Sequence, residues 1–237
     1  MKKQTAITWL ALMSVTGLVG MNAALAAPFY DNFNRPNSLI VGNGWTQATS
    51  DSVKMQPQIE SNQAAFHGDF GPNADGYSFA SITHTFDAAA DVSVSLAWDR
   101  ATSQTGEFMT FDLTGASGNL TIWEKQYESV NGYIPIQITY LSTTYWASIP
   151  GVTVPNFTYY NYDVVSSGGS TRLYVDGDLK WTSPDAGIGL VTSASVGAVN
   201  NYWKWHTFYA DNFAAVPEPA SLALLGLGAL GLLRRRR

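Results

Sequence analysis

The sequence predicts an all-β chain, a two-sheet antiparallel sandwich, with a hydrophobic helix at each end. Three observations predict it. Apolar and polar residues alternate with period two through the middle of the chain, an Asp-Gly pair separates two such runs, and a short apolar segment with basic residues on its outer side stands at each terminus.

The first segment opens with Met1, Lys2 and Lys3, continues as an apolar run over residues 6–21, and reaches Ala24-Leu25-Ala26. A basic start, a greasy core too short for a comfortable span and a small-x-small site describe a signal peptide, with signal peptidase expected to cut after Ala26. Residues 1–26 are therefore set apart from the fold.

The β reading begins with residues 77–82 and 92–98, where every second side chain is apolar, as in half-buried strands. Further strands are expected over residues 108–113, 120–123, 134–141, 159–165, 171–175, 179–182, 195–199 and 203–213. Asp176-Gly177 lies between two alternating runs and fits a type I′ hairpin, because both residues tolerate positive φ. With the Ser166-Ser167-Gly168-Gly169-Ser170 turn it makes a three-stranded meander. Phe29-Tyr30-Asp31-Asn32-Phe33 is echoed by Phe208-Tyr209-Ala210-Asp211-Asn212-Phe213, and the echo predicts that the first and last strands of the domain lie side by side.

At the other terminus, Pro217-Glu218-Pro219 leads into an apolar, glycine-dotted stretch over residues 222–233 and then Arg234, Arg235, Arg236 and Arg237. A helix over residues 220–233 rises about 21 Å, against a hydrocarbon core of about 30 Å. It is a poor permanent anchor. The arginines resist translocation and act as a membrane stop, which leaves the Pro-Glu-Pro motif on the outer face of the inner membrane, kept extended by its prolines. Motif, apolar segment and basic end closely resemble the PEP-CTERM sorting signal. That resemblance covers residues 216–237 and implies an exosortase-type processing enzyme as partner and a transient stay in the inner membrane.

Between the signals, residues 27–215 are expected to form one domain. Over residues 27–216 seven basic residues face seventeen acidic ones, a net charge of −10. Such a surface repels phosphate backbones and excludes nucleic acid as a partner. Charged residues are 13% of the chain, about half the usual ~25%, and Ser, Thr, Asn, Gly and aromatics take their place. That surface suits hydroxyl-rich partners such as an exopolysaccharide, although exported β proteins that bind no sugar share it. With no cysteine and three scattered histidines, thiol chemistry is excluded and no histidine metal motif is present.

The segment from Phe33 to Ser38, the Val41-Gly42-Asn43-Gly44-Trp45 run, the Asp176-Gly177 hairpin and the terminal Asp211-Asn212-Phe213, taken in order, resemble a concanavalin A-like (laminin G-like) jelly roll. The family implies two packed antiparallel sheets, one of them concave, in lectins, carbohydrate-binding modules, adhesion domains and glycan-cleaving enzymes. Its sandwich glucanases carry a Glu-x-Asp-x-x-Glu strand that this chain lacks. Glu107 and Asp112, five apart, fall on opposite faces of a regular strand. The expectation is therefore a non-catalytic domain that binds or embeds in polysaccharide, with a matrix scaffold lacking a pocket, or a hydrolase or lyase of the same fold, as alternatives.

Sugar binding calls for rings flanked by polar groups. The candidate platforms are Tyr202, Trp203, Trp205 and Tyr160, with core packing as the alternative role of each ring. No cofactor is expected beyond calcium, a familiar companion of the fold that the resemblance implies. Asp69, Asn73 and Asp75 offer oxygen donors for it, and Asx turns explain the same residues.

Overall fold

The computed structural model describes residues 27–50, 56–68, 78–98, 108–125, 132–150, 158–200 and 206–217. They form fifteen strands and, among the described residues, no helix. Both expected terminal helices, over residues 1–26 and 220–233, lie outside the described residues.

In chain order the strands are β1 (Phe29–Asp31), β2 (Thr46–Thr49), β3 (Gln56–Glu60), β4 (Gln63–Gly68), β5 (Ser78–Ala89), β6 (Asp91–Trp98), β7 (Phe108–Gly115), β8 (Gly118–Glu124), β9 (Tyr133–Tyr140), β10 (Thr143–Pro150), β11 (Tyr160–Ser167), β12 (Ser170–Val175), β13 (Asp178–Thr182), β14 (Val191–Asn200) and β15 (His206–Val216). They build two antiparallel sheets. One runs β13-β12-β11-β6-β15-β4-β3, with β1 also paired to β15; the other runs β10-β9-β8-β7-β14-β5-β2. Sequence-distant strands sit at the centre of both, the arrangement of a jelly-roll sandwich.

Local chemistry explains the elements. β8 reads buried at Leu120 and Ile122 and half-buried at Thr121 and Trp123, so alternation tells the core face from the outer one. The Asp176-Gly177 turn has both residues at positive φ, 50° and 83°, and joins β12 to β13 as predicted. Two further tight turns, Ser61-Asn62 and Leu141-Ser142, also take positive φ at both positions without a glycine. The echoed ends are neighbours, with Phe29 opposite Ala215 and Asp31 opposite Phe213.

The core lies between the sheets. Met109, Phe111 and Leu113 of β7, Ile134, Ile136 and Ile138 of β9, and Val196 of β14 meet Val92, Val94 and Leu96 of β6, Tyr162 and Val164 of β11 and Phe208 of β15 in one cluster. A carboxylate is buried within it. Glu124 is 1% exposed and accepts a 2.6 Å hydrogen bond from the Tyr162 hydroxyl of the opposite sheet. Burial, and the charge of Glu124, push the Tyr162 pKa well above its ordinary value.

Candidate functional site

Registers across the seven-stranded sheet place two rows of side chains on its outward face. One row is Trp146, Gln137, Trp123, Thr110, Gly197, Ser81 and Ala48, each directly opposite the next. The neighbouring row is Thr144, Thr139, Thr121, Asp112, Ser195, Thr83 and Thr46. Within this face a cleft of about 410 Å³ is lined by Phe79, Ser81, Phe108, Thr110, Asp112, Thr121, Trp123, Ser195 and Val199, among others.

The first row and the Phe108, Val199 and Phe79 positions beside it give the cleft its rings. Trp123 stacks on Phe108 with centroids 4.4 Å apart and planes at 23°, and Phe79 is half-exposed on the far side of the cleft. Two strands over, Trp146 is 58% exposed, with the Lys125 ammonium 5.1 Å from the centre of its ring. A two-strand step is about 9.6 Å, so the two indoles stand apart by a distance comparable to two sugar rings of an extended chain running across the strands.

The floor between the rings requires a glycine. A Cβ on Gly197 would lie 2.6 Å from the Ala80 carbonyl oxygen and 3.1 Å from Thr110 Oγ1, so neighbouring strands close over the position where a side chain would stand.

The second row gives the cleft its polar groups. Thr83 donates to Ser195 through a 3.0 Å hydroxyl–hydroxyl bond. Asp112 stands among the hydroxyls of Thr110, Thr121 and Ser195. Burial raises its pKa above the ordinary 3.8, opposed by hydrogen bonds from Thr121 and Thr110. A carboxyl that keeps its proton to higher pH, beside stacking rings, is equipped to donate that proton to a bound oxygen.

Of the predicted glycan platforms, only Tyr160 lies within the described residues, and it falls outside this cleft. Tyr160 is 8% exposed, packs in the core between the sheets, and directs its hydroxyl to the Pro150 carbonyl at 3.5 Å, so it offers no open platform. Tyr202, Trp203 and Trp205, the oxygen donors Asp69, Asn73 and Asp75, and Glu218, Pro219, Arg234, Arg235, Arg236 and Arg237 all lie outside the described residues. Pro217 directly follows β15. Among the described residues no group of three or more His, Asp or Glu is placed to hold a metal ion.

The early motif has a structural role. Asp31, 4% exposed, accepts from both terminal guanidinium nitrogens of Arg35 at 2.9 Å, from Asn43 at 3.0 Å, from the Trp45 indole at 2.8 Å and from the Phe33 amide at 2.8 Å. Burial alone would raise its pKa, but these donors, Arg35 foremost, outweigh it and hold the carboxyl below the ordinary 3.8. The Phe33–Trp45 region is thus a clasp that seats the first strand.

Asp112, Trp123 and Gly197 were not legible as a site. The available signal was a polar, outward-facing pattern, Thr110-x-Asp112-x-Thr114 on one strand and Thr121-x-Trp123 on the next, an excess of hydroxyls around a single acid.

Comparison with known proteins adds two findings. Residues 215–237 match the PEP-CTERM protein-sorting motif. No curated protein matches the chain. Among solved structures, the Bacillus licheniformis beta-glucanase is similar with a TM-score of 0.57 at 13% identity, over 81% of this chain and 99% of that one. The laminarinase catalytic domain from Thermotoga maritima gives 0.57 at 8% identity, over 80% and 97%. The Crh5 transglycosylase gives 0.57 at 13%, over 82% and 86%.

These likenesses establish a concanavalin A-like jelly roll. They also correct the expectation of a domain without catalysis, because the structures that share this fold are by name glycan-cleaving and glycan-transferring enzymes.

Proposed function

We propose that this chain, an exported protein carrying a signal for exosortase sorting, uses the outward face of the β10-β9-β8-β7-β14-β5-β2 sheet to bind a polysaccharide and to act on its glycosidic bonds. The observation that carries the reading is the Asp112 carboxyl, whose pKa burial raises, in a cleft whose rings are Trp123, Phe108 and Phe79.

Sugar C–H faces stack on the rings, and hydroxyls of the chain meet the Thr and Ser row. Asp112 gives its proton to the glycosidic oxygen as the C–O bond breaks, water or a sugar hydroxyl adds to the anomeric carbon, and the Asp112 carboxylate left behind takes up the proton that the nucleophile loses. Asp112 supplies the acid.

The tail agrees with delivery outside the cell. Its apolar segment is short, its end basic, and the Pro217-Glu218-Pro219 motif falls where an exosortase-type enzyme on the outer face of the inner membrane reaches it. Signal peptidase removes the front segment, and the released domain works at the cell surface or in the matrix around it.

The test is release of reducing ends, or transfer to a labelled oligosaccharide, from a panel of β-glucans and bacterial exopolysaccharides by the secreted protein. Asp112→Asn is expected to abolish product while polysaccharide retention persists. No product on any member of the panel, or full activity of Asp112→Asn, overturns the catalytic role.

A further inference from the structure

We infer that one end of the sandwich is built to lie against the outer leaflet of the membrane that holds the sorting tail, with the rings of the cleft turned away from it. The inference rests on the export reading above and concerns how the precursor stands while it awaits processing.

Two chain exits define the end. Val216 is the last residue of β15 and is still paired with Asp91 of β6, and its carbonyl accepts from the Ala90 amide at 2.9 Å. The sorting match begins at residue 215, so fold and signal overlap on the last strand and no linker separates them. Four residues run from Val216 to Ala220, where the expected helix begins. Even fully extended, at ~3.6 Å each, they span about 14 Å. The end of the fold is therefore held at headgroup depth for as long as the tail is uncut.

The front of the chain emerges at the same place. Phe29, two residues after the expected signal cleavage region, pairs with Ala215, one strand spacing of about 4.8 Å away. Until signal peptidase cuts after Ala26, both export signals hold the domain from adjacent strands at one end, and the tail alone holds it there afterwards.

The turns at that end fit a lipid surface. The tips at residues 89–90, 116–117, 141–142 and 167–170 carry no charge in a domain whose net charge over residues 27–216 is −10. Leu141 is half-exposed there, and the Ser166 amide ties the β11 end to the Ala90 carbonyl at 2.6 Å. Asp87 is two residues back from the 89–90 tip, Asp91 directly follows it, and Asp185 accepts from the Tyr140 hydroxyl beside the 141–142 tip. An acidic domain approaches anionic headgroups best through tips that carry no charge of their own.

Strand direction then places the cleft. β5 and β14 pair from Ala89 opposite Val191 at the exit end to Phe79 opposite Val199 at the other. At ~3.4 Å per residue, the ten residues from Phe79 to Ala89, the eight from Phe108 to Ala116 and the six from Ser117 to Trp123 put these rings roughly 20 to 34 Å above the membrane-facing tips. There they meet polymer outside the cell.

The absence of native cysteine makes the test direct. Full-length chain is placed in inner-membrane vesicles of a host without the processing enzyme, and an environment-sensitive fluorophore is attached to single cysteines. Ser167→Cys and Ser117→Cys report the exit end on the two sheets, and Tyr133→Cys reports the far end. Spin-labelled lipid headgroups should quench the first two several-fold more than the third. Equal quenching in membrane-bound chain, or stronger quenching at Tyr133→Cys, overturns the orientation while leaving export intact. Chain that stays cytosolic with both ends uncut overturns the export reading and this inference with it.

Discussion

Asp112 of β7 and Thr121 of β8 stand directly opposite each other in the floor of the cleft, and the hydroxyl of Thr121 is the first of the two donors that oppose burial at that carboxyl. Burial wins. The folded protein keeps the proton to a higher pH than the unfolded chain does, so ionisation costs stability as pH rises from about 3.8 through the folded pKa. Asp112→Asn removes that cost. Thermal melts should show the variant more stable than the native protein at pH 7, with the difference shrinking toward pH 3, the opposite of its expected effect on activity.

Asp31 should behave in the reverse sense. Its pKa lies below the ordinary 3.8, so its contribution is present above that value and is lost as pH falls through the folded pKa. Asp31→Ala leaves Arg35, Asn43 and the Trp45 indole without their acceptor and should destabilise by about 3 kcal/mol at pH 7. Urea titrations at pH 7 and pH 2 check it: the gap between variant and native protein is expected to narrow in acid.

Across the core, Tyr162→Phe deletes the hydroxyl that donates to Glu124. A charged acceptor then loses a donor in a buried place, at a cost of about 2 kcal/mol. The double variant Tyr162→Phe/Glu124→Leu should recover part of that loss, because both polar groups are then gone. Urea midpoints for the two variants distinguish a paired carboxylate from simple loss of packing.

Gly197→Ala tests the floor of the cleft. The added Cβ meets the Ala80 carbonyl oxygen at 2.6 Å, a backbone atom held by the ladder, so β14 and β5 must part. The expected loss is about 1 to 3 kcal/mol in thermal stability, accompanied by weaker polysaccharide retention.

The fold was readable because one face of most strands is buried, which forces period-two patterns such as that of β6, and because the Asp176-Gly177 turn has a residue signature. β2, a four-residue edge strand, was missed, and β3, β4 and β10 were missed for related reasons. The Ser61-Asn62 and Leu141-Ser142 turns reach positive φ without the Asn-Gly or Asp-Gly signature, and β10, at a sheet edge, is exposed at most positions. The site was harder to read. Asp112, Thr121 and Ser195 become neighbours only through the registers of β7 with β8 and β14, which no local pattern encodes. Tyr160, flanked by polar residues in sequence, faces inward because β11 sits beside β6 in the middle of its sheet.

The most direct measurement of the central claim is a binding isotherm for soluble oligosaccharides from whichever polysaccharide the secreted protein retains, comparing Trp123→Ala on the cleft face with Tyr174→Ala on the outward face of the other sheet. Stacking on one ring accounts for up to about 1.5 kcal/mol, so Trp123→Ala should weaken affinity by roughly tenfold and Tyr174→Ala should leave it unchanged. Equal losses at both positions, or unchanged affinity in Trp123→Ala, contradict a glycan site on the seven-stranded sheet.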